Sequence, residues 1–372
     1  MYKKFTTSLL VILLAALNMC AQEQVEKNKD FVKIGGAFRY TYMNNSWNQS
    51  HKDKGGQAIF DAMIFTAKGE LKGVEFAVET RYYAESFGGF MLRNGYIGLP
   101  LTDNLKLKVG MPRTPFGIMP FTGNSFMFNM PYYMGFEDDA DIGALLEYKC
   151  NNLEAQLNFS KNSEDVFSSK NKRYAYDISG ENEELNQLTA RMAYHFGDKK
   201  QHEIGGSAQY GQIYNTKTQD TGDKYAFAVH GVFKFNRWDI KAEAIACEFN
   251  PKDSVSKDFI EMGAFNGAYE MARKGFVYSL SIGYQIPLNY KFLDDIKFYN
   301  DFSAYEKSVS DYDSSYMNVL GCMLHTGPVY ILIDYVLANN HPWIGDNYKQ
   351  GLSVGGEKSW NKRFNVNIGL YF

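Results

Sequence analysis

Proline is scarce in this chain, nine in 372 residues, and four of the nine fall between residues 112 and 140. Cysteine is scarcer still, with four in all and no Cys-x-x-Cys spacing. One of them, Cys20, sits in an N-terminal leader, so Cys150, Cys247 and Cys322 remain. An odd number without paired spacing argues against a disulfide framework and against a zinc site, and the three read as small apolar residues. No apolar run approaches the ~20 residues of a membrane-spanning helix. With 22% charged residues and a mean hydropathy of −0.37, a polytopic helical membrane protein is excluded. A surplus of one charge sign is missing too: 39 basic against 42 acidic residues gives −3, and no electrostatic footprint for nucleic acid. Metalloprotease, serine-hydrolase and phosphate-loop motifs are absent. His51, His195, His202, His230, His325 and His341 are scattered, so no catalytic residue, metal ligand or cofactor is assigned. A hydrolase site joining His195 or His230 to Ser207 is the weakest reading.

Aromatics, by contrast, make up 16% of the chain (28 Phe, 27 Tyr, 4 Trp), alongside 33 Gly, a composition that favours short strands over helices. Lys3 and Lys4 precede the apolar run 9–17 and the sequence Asn18-Met19-Cys20-Ala21-Gln22. This reads as a secretory signal peptide, residues 1–21, cleaved after Ala21. Lipidation of Cys20 is the alternative, disfavoured by Met19 where a small residue is wanted. Removing the leader takes away Lys3 and Lys4 and leaves 37 basic against 42 acidic residues, a net −5.

Period-2 alternation recurs along the mature chain. Val74, Phe76 and Val78 alternate with Glu75 and Glu79. Leu105, Leu107 and Val109 alternate with Lys106 and Lys108. Leu153 to Phe159, Leu188 to Phe196, Tyr225 to Phe235 and Phe276 to Ile286 follow the same rule, as do Phe364, Val366, Ile368, Leu370 and Phe372. Each segment is a strand with one apolar and one polar face. Short polar turns near 72–73, 102–104, 150–152, 197–199, 236–237 and 326–327, with a looser one at 287–294, alternate with long connections at 43–57, 85–91, 112–140, 162–184, 214–223, 250–274, 308–315 and 338–362. Seven turns and eight loops join sixteen strands. The expected fold is all-β, a transmembrane antiparallel barrel with short periplasmic turns and long extracellular loops. A soluble β-sandwich or barrel, with its polar rows in solvent, is the competing reading. Strands of about ten residues fit a tilted bilayer crossing. Tyr40, Tyr42, Tyr82, Tyr194, Phe196 and Tyr284 suit interfacial girdles. The division is a signal peptide 1–21, a periplasmic lead 22–30 and a barrel 31–372, integral to the outer membrane of a Gram-negative cell.

The segment Lys106-Leu107-Lys108-Val109-Gly110-Met111-Pro112-Arg113-Thr114-Pro115-Phe116-Gly117 resembles a strand of the phosphate-selective porin O and P family, most closely in its Bacteroidetes-type members. The stretch 298–307 and the ending Asn365-Val366-Asn367-Ile368-Gly369-Leu370-Tyr371-Phe372 are similar to that family's late and terminal strands. The resemblance implies a sixteen-stranded homotrimeric channel for small anions, in lipid and lipopolysaccharide. It also implies a terminal Phe372 that the barrel-assembly machinery reads.

In such a barrel the polar rows line the lumen. Lys33, Arg39, Arg81, Lys106, Lys108, Arg113 and Arg191 are the candidate selectivity residues, and carboxylates such as Glu75, Glu79, Glu243 and Asp301 accompany them. The proline-rich loop 112–140 cannot continue the sheet. Its apolar content, with Pro115, Phe116, Gly117 and Phe121 foremost, marks it as a constriction folded into the lumen, or else an apolar cap or trimer contact at the rim. Its descending end, Glu137, Asp138, Asp139 and Asp141, reads first as a solvated stem. A divalent-cation site bridging lipopolysaccharide and a cation-attracting rim are the other readings. Arg113, Lys106 and Lys108 are few cations for phosphate. The function expected is passive diffusion of small hydrophilic solutes, with an anion preference; the alternative is a non-channel barrel acting in surface binding or adhesion.

Overall fold

The computed structural model describes residues 30–164 and 171–372; the leader 1–21 and residues 22–29 of the lead lie outside the described residues. The strands are β1 (Phe31–Asn45), β2 (Gln57–Leu71), β3 (Val74–Tyr82), β4 (Phe90–Thr102), β5 (Leu105–Met111), β6 (Ile142–Cys150), β7 (Leu153–Asn162), β8 (Asp177–Ile178), β9 (Asn182–Phe196), β10 (His202–Asn215), β11 (Thr221–Phe235), β12 (Trp238–Asn250), β13 (Phe259–Ala264), β14 (Gly267–Ala272), β15 (Lys274–Tyr290), β16 (Leu293–Lys307), β17 (Ser315–Thr326), β18 (Val329–Asn339) and β19 (Asn361–Tyr371). Sixteen of them close into one antiparallel barrel, and the ring is sealed where β1 pairs β19, from Ala37 opposite Tyr371 to Asn45 opposite Arg363. Gly36 and Phe372 exchange backbone hydrogen bonds at 2.8 and 2.9 Å, and the Phe372 ring stacks on Phe38 at 5.9 Å.

Alternation sets the two faces, as β11 shows. Phe227 and Val229 are exposed on the outside, while Lys224, Ala226, Ala228 and His230 are buried inside. A transmembrane strand reads this way, apolar toward lipid and polar toward the lumen. No helix among the described residues is long and apolar enough to cross a membrane. The turns are tight because their residues accept positive φ: Lys72 (52°) and Gly73 (79°) form a two-residue link of the kind that suits strand twist. The connection expected to be loose at 287–294 is also tight, since β15 runs on to Tyr290 and β16 starts at Leu293. Cys247 and Cys322 are free thiols, the first buried and the second half-buried.

The long loops build something the alternation does not show. Strands β8, β13 and β14 form a separate three-stranded sheet, with Met262 opposite Ile178 and Glu261 opposite Glu270. The loop 340–360 bridges to it through Met271 and Leu352. Two short helices complete the loops, α1 (Gln49–Lys54) and α2 (Met130–Tyr133). Together these segments bury Met130, Met134, Tyr174, Tyr176, Ile260, Met262 and Tyr269 in an apolar core held inside the barrel. Each such side chain contributes roughly 1.5–3 kcal/mol by leaving water.

Candidate functional site

Residues 112–141 leave the wall after β5 and cross toward the opposite strands, where inward side chains hold their backbone. Gly117 donates its N–H to Ser207 Oγ on β10 at 3.0 Å, and Ile118 donates to Glu243 Oε2 on β12 at 2.7 Å. Asn124 and Ser125 both donate backbone N–H groups to Asp301 Oδ2 on β16 at 2.7 Å, and the Asn124 amide donates to Oδ1 at 2.9 Å. Phe126 donates to Asp334 on β18 and Met130 to Ser303 on β16. From the wall, Arg191 donates to the Gly117 carbonyl at 2.8 Å and Lys241 to that of Phe121 at 3.0 Å. A segment broken by Pro112, Pro115, Pro120 and Pro131 has no ladder to satisfy its N–H groups, so lumen carboxylates and hydroxyls do so instead. Gly117 is fixed by this arrangement: its φ is +59°, and a Cβ there would meet Glu243 Oε2 at 2.0 Å. Phe116 stacks on Phe136 at 5.2 Å, Pro115 is buried beside it, and Phe121 lies against Phe128 at 5.3 Å.

The face left uncovered belongs to β1, β2, β3 and β19. Between it and the stretch Phe126–Tyr133 lies a cavity of about 530 Å³, roofed by Tyr174, Tyr176, Phe265 and Trp343. Its wall carries Arg39, Arg81 and Arg363, with Asp61 as the one carboxylate among the described lining residues. Arg39 pairs with Asp61 at 2.8 Å and lies over the Phe126 ring; Arg81 pairs with Glu79 at 2.7 Å and lies over Tyr174 at 4.3 Å. Arg363 donates to Asn365 Oδ1 at 2.8 Å and makes no ion pair among the described residues.

The other expected selectivity residues lie elsewhere. Lys33 is exposed near the short-turn end of β1. Lys106 is bound to Glu75 and Lys108 to Glu147, and Arg113 pairs with Asp138 at 3.0 Å. These three therefore do not converge on a common anion site. Arg191 is buried and spends its donors on Gly117, Glu203 and Gln156. Ser207 is taken by Gly117, and His230 bonds Glu203 at 2.8 Å.

The expected solvated stem is corrected. Glu137, Asp138, Asp139 and Asp141 are all buried: Thr122 holds Glu137, Tyr174 bonds Asp138, and Asp177 on the inner sheet lies beside Asp139 and Asp141. Asp138 is shared by Arg93, Arg113 and the Tyr174 hydroxyl. Arg93 and Arg363 were not among the candidates. Arg363 could have been found, since it shares parity with Asn365 and Asn367. Arg93 could not, since it follows the apolar run 90–92 and sits opposite the β3–β4 bulge at Glu79/Thr80.

Burial, then the neighbouring Glu243, pushes the Glu137 carboxyl from 4.5 up to about 8, against two hydrogen bonds from Thr122 at 2.6 and 2.9 Å. The folded state thus holds a proton that the unfolded chain releases above pH 4.5. This contribution to stability is complete below 4.5 and is lost as pH rises through about 8. Chemical unfolding at pH 5 and pH 9 should show a lower midpoint at pH 9. Glu137→Gln should flatten that difference; a variant with the same slope would disprove the assignment.

No protein-family model matches the sequence, and no curated protein matches it. Solved structures do. OmpT of Vibrio cholerae shares 11% identity at a TM-score of 0.59, over 94% of this chain and 100% of that one. OmpF of Salmonella typhi, solved with daunomycin, shares 12% at 0.59, over 94% and 100%. The anion-selective porin of Comamonas acidovorans shares 10% at 0.57, over 92% and 100%. The fold is that of an outer-membrane porin. At these identities the likeness carries the porin fold and no more. The phosphate-selective O and P family stays a resemblance of three short segments, since no family match supports it.

Proposed function

We propose that the chain is a passive outer-membrane channel for small hydrophilic solutes, with a preference for anions. The observation that carries this reading is the placement of residues 112–141. They are pinned to β10–β18 and face the cavity over Arg39, Arg81 and Arg363; Asp61 and Glu79 balance the first two, and Arg363 is left as a lining cation with no ion pair among the described residues. Fixed cations beside a narrow passage favour anions. Phosphate specificity is not part of the proposal, because Lys106, Lys108 and Arg113 are each neutralised by a carboxylate.

Planar-bilayer recording tests it. Stepwise conductance is expected, with a reversal potential of anion-selective sign in a potassium chloride gradient. Arg363→Glu replaces a cation lacking an ion pair among the described residues, so the chloride-to-potassium permeability ratio should fall roughly twofold or more. An unmoved reversal potential would take Arg363 off the conducting path.

One observation favours a second reading, a plugged barrel acting through its surface loops: the apolar core around Tyr176, Met262 and Tyr269 fills part of the interior. Bilayers that stay silent with folded protein would support that reading and sink the first.

A further inference from the structure

Five carboxylates converge where the descending end of the 112–141 loop meets the loop after β7 and the start of β9. They are Asp139 and Asp141, Glu164, Asp177 and Glu184, each no more than 7% exposed. Oxygens of Asp139, Asp141 and Asp177 all lie within 4.8 Å of one another. Two cations face them, and both are already engaged. Arg173 donates to Asp177 Oδ2 at 3.2 Å and to the carbonyls of Ile178 and Gly263, and Lys224 donates to Glu184 at 2.6 Å. Asp139 Oδ1, Asp141 Oδ1 and Glu164 Oε2 have no hydrogen-bond donor among the described residues, although Arg173 Nη1 stands 4.0 Å from Glu164 Oε2.

A neutral group touches the same cluster. Gln187 on β9 is 2% exposed, and its amide nitrogen donates to Asp141 Oδ2 at 3.2 Å. Its Oε1 has no partner among the described residues. Buried amide oxygens are rarely left bare, because the desolvation cost is then uncompensated. Bare carboxylate oxygens and a bare amide oxygen, all buried together, form an acceptor set without a donor.

We propose that this cluster binds one calcium ion, held by Asp139, Asp141 and Asp177, with Glu164 and Gln187 completing the shell. The donors are all oxygen, which suits a hard cation, and calcium takes six to eight such ligands at 2.3–2.6 Å. Two ligands of one ion at that range lie up to ~5 Å apart, which spans the observed separation. Calcium fits better than magnesium, which keeps several waters and prefers one or two carboxylates. The ion would join the loop stem at 139–141 to Glu164 just after β7, to Asp177 on β8 and to Gln187 on β9. It would thereby fix the loop whose rising limb is tied to the same stem by the Thr114 N–H to Asp139 carbonyl bond at 2.8 Å. The proposal is independent of whether the barrel conducts.

The test uses the full chain in detergent, stripped with EGTA and titrated with calcium chloride by calorimetry. One saturable equivalent per chain is expected, with thermal unfolding shifted up by several degrees and the shift reversed by EGTA. The Asp141→Asn, Asp177→Asn double variant should lose both. Terbium offers a second reading that needs no variant: emission sensitised by Tyr174 and Tyr176 should appear on binding and be displaced by calcium. Absence of saturable calcium heat in the wild-type chain would overturn the proposal and leave protons as the compensating charge. Equal binding by the folded double variant would overturn it too, by placing the ion elsewhere.

Discussion

Deleting residues 118–130, and so joining Gly117 to Pro131, should raise single-channel conductance roughly twofold or more, since a sixteen-stranded barrel without an inward loop is an open aqueous pore. The deleted stretch supplies backbone donors to Glu243, Asp301 and Asp334, and it contributes Phe126, Met127 and Phe128 to the cavity wall. Barrel closure does not depend on it. The ring is sealed by β1 against β19, and the short turns lie at the other end. The variant should therefore still fold and insert. Anion preference should weaken along with the constriction, because a wider lumen places solutes farther from Arg39, Arg81 and Arg363. Unchanged conductance in a folded variant would mean that the current does not pass this loop.

The barrel was legible in the sequence for a local reason. Side-chain parity along a strand depends on neighbours two residues apart, and the lipid and lumen faces differ in polarity. Thus Phe364 to Phe372 declare their faces without help from the rest of the chain, and the contrast of Lys72-Gly73 with the long loop 112–140 tells one barrel end from the other. The inner sheet left no such mark. Strand β8 is two residues, Asp177–Ile178, and β13 and β14 are six each, too short to show a period. The burial of the acidic stem was hidden for the same reason. Nothing near Glu137-Asp138-Asp139 says that Arg93, 45 residues earlier, reaches Asp138, or that Tyr174 closes over it. Four acids within five residues look solvated unless their cover is known, and here it includes Thr122 on Glu137, Tyr174 on Asp138, and Asp177 and Gln187 beside Asp139 and Asp141. What decides the site is contact between loops, and sequence spacing carries almost none of that.

Asp301→Ala should destabilise the protein by about 3 kcal/mol or more, because it strands two backbone N–H groups and one side-chain amide, and each unsatisfied buried donor costs ~1–3 kcal/mol. Asp301 is fully buried, and among the described residues it is the acceptor for the Asn124 and Ser125 N–H groups and the Asn124 amide. Its size is one part of the prediction; its dependence on the loop is the sharper part. If the penalty arises from pinning 112–141, it should nearly vanish in the 118–130 deletion, which lacks the three donors altogether. The four proteins then form a thermodynamic cycle whose coupling equals most of the single-variant cost. Denaturant unfolding in detergent, with the wild type and both single changes as references, supplies the numbers. A penalty that persists undiminished in the deletion background would show that Asp301 stabilises the wall itself through its neighbours on β15 and β17. The loop would then be held chiefly by Glu243 and Asp334. Current noise should follow the same order: Asp301→Ala should flicker, because a loop freed at Asn124 but still tied at Ile118 and Phe126 can swing across the cavity without leaving it.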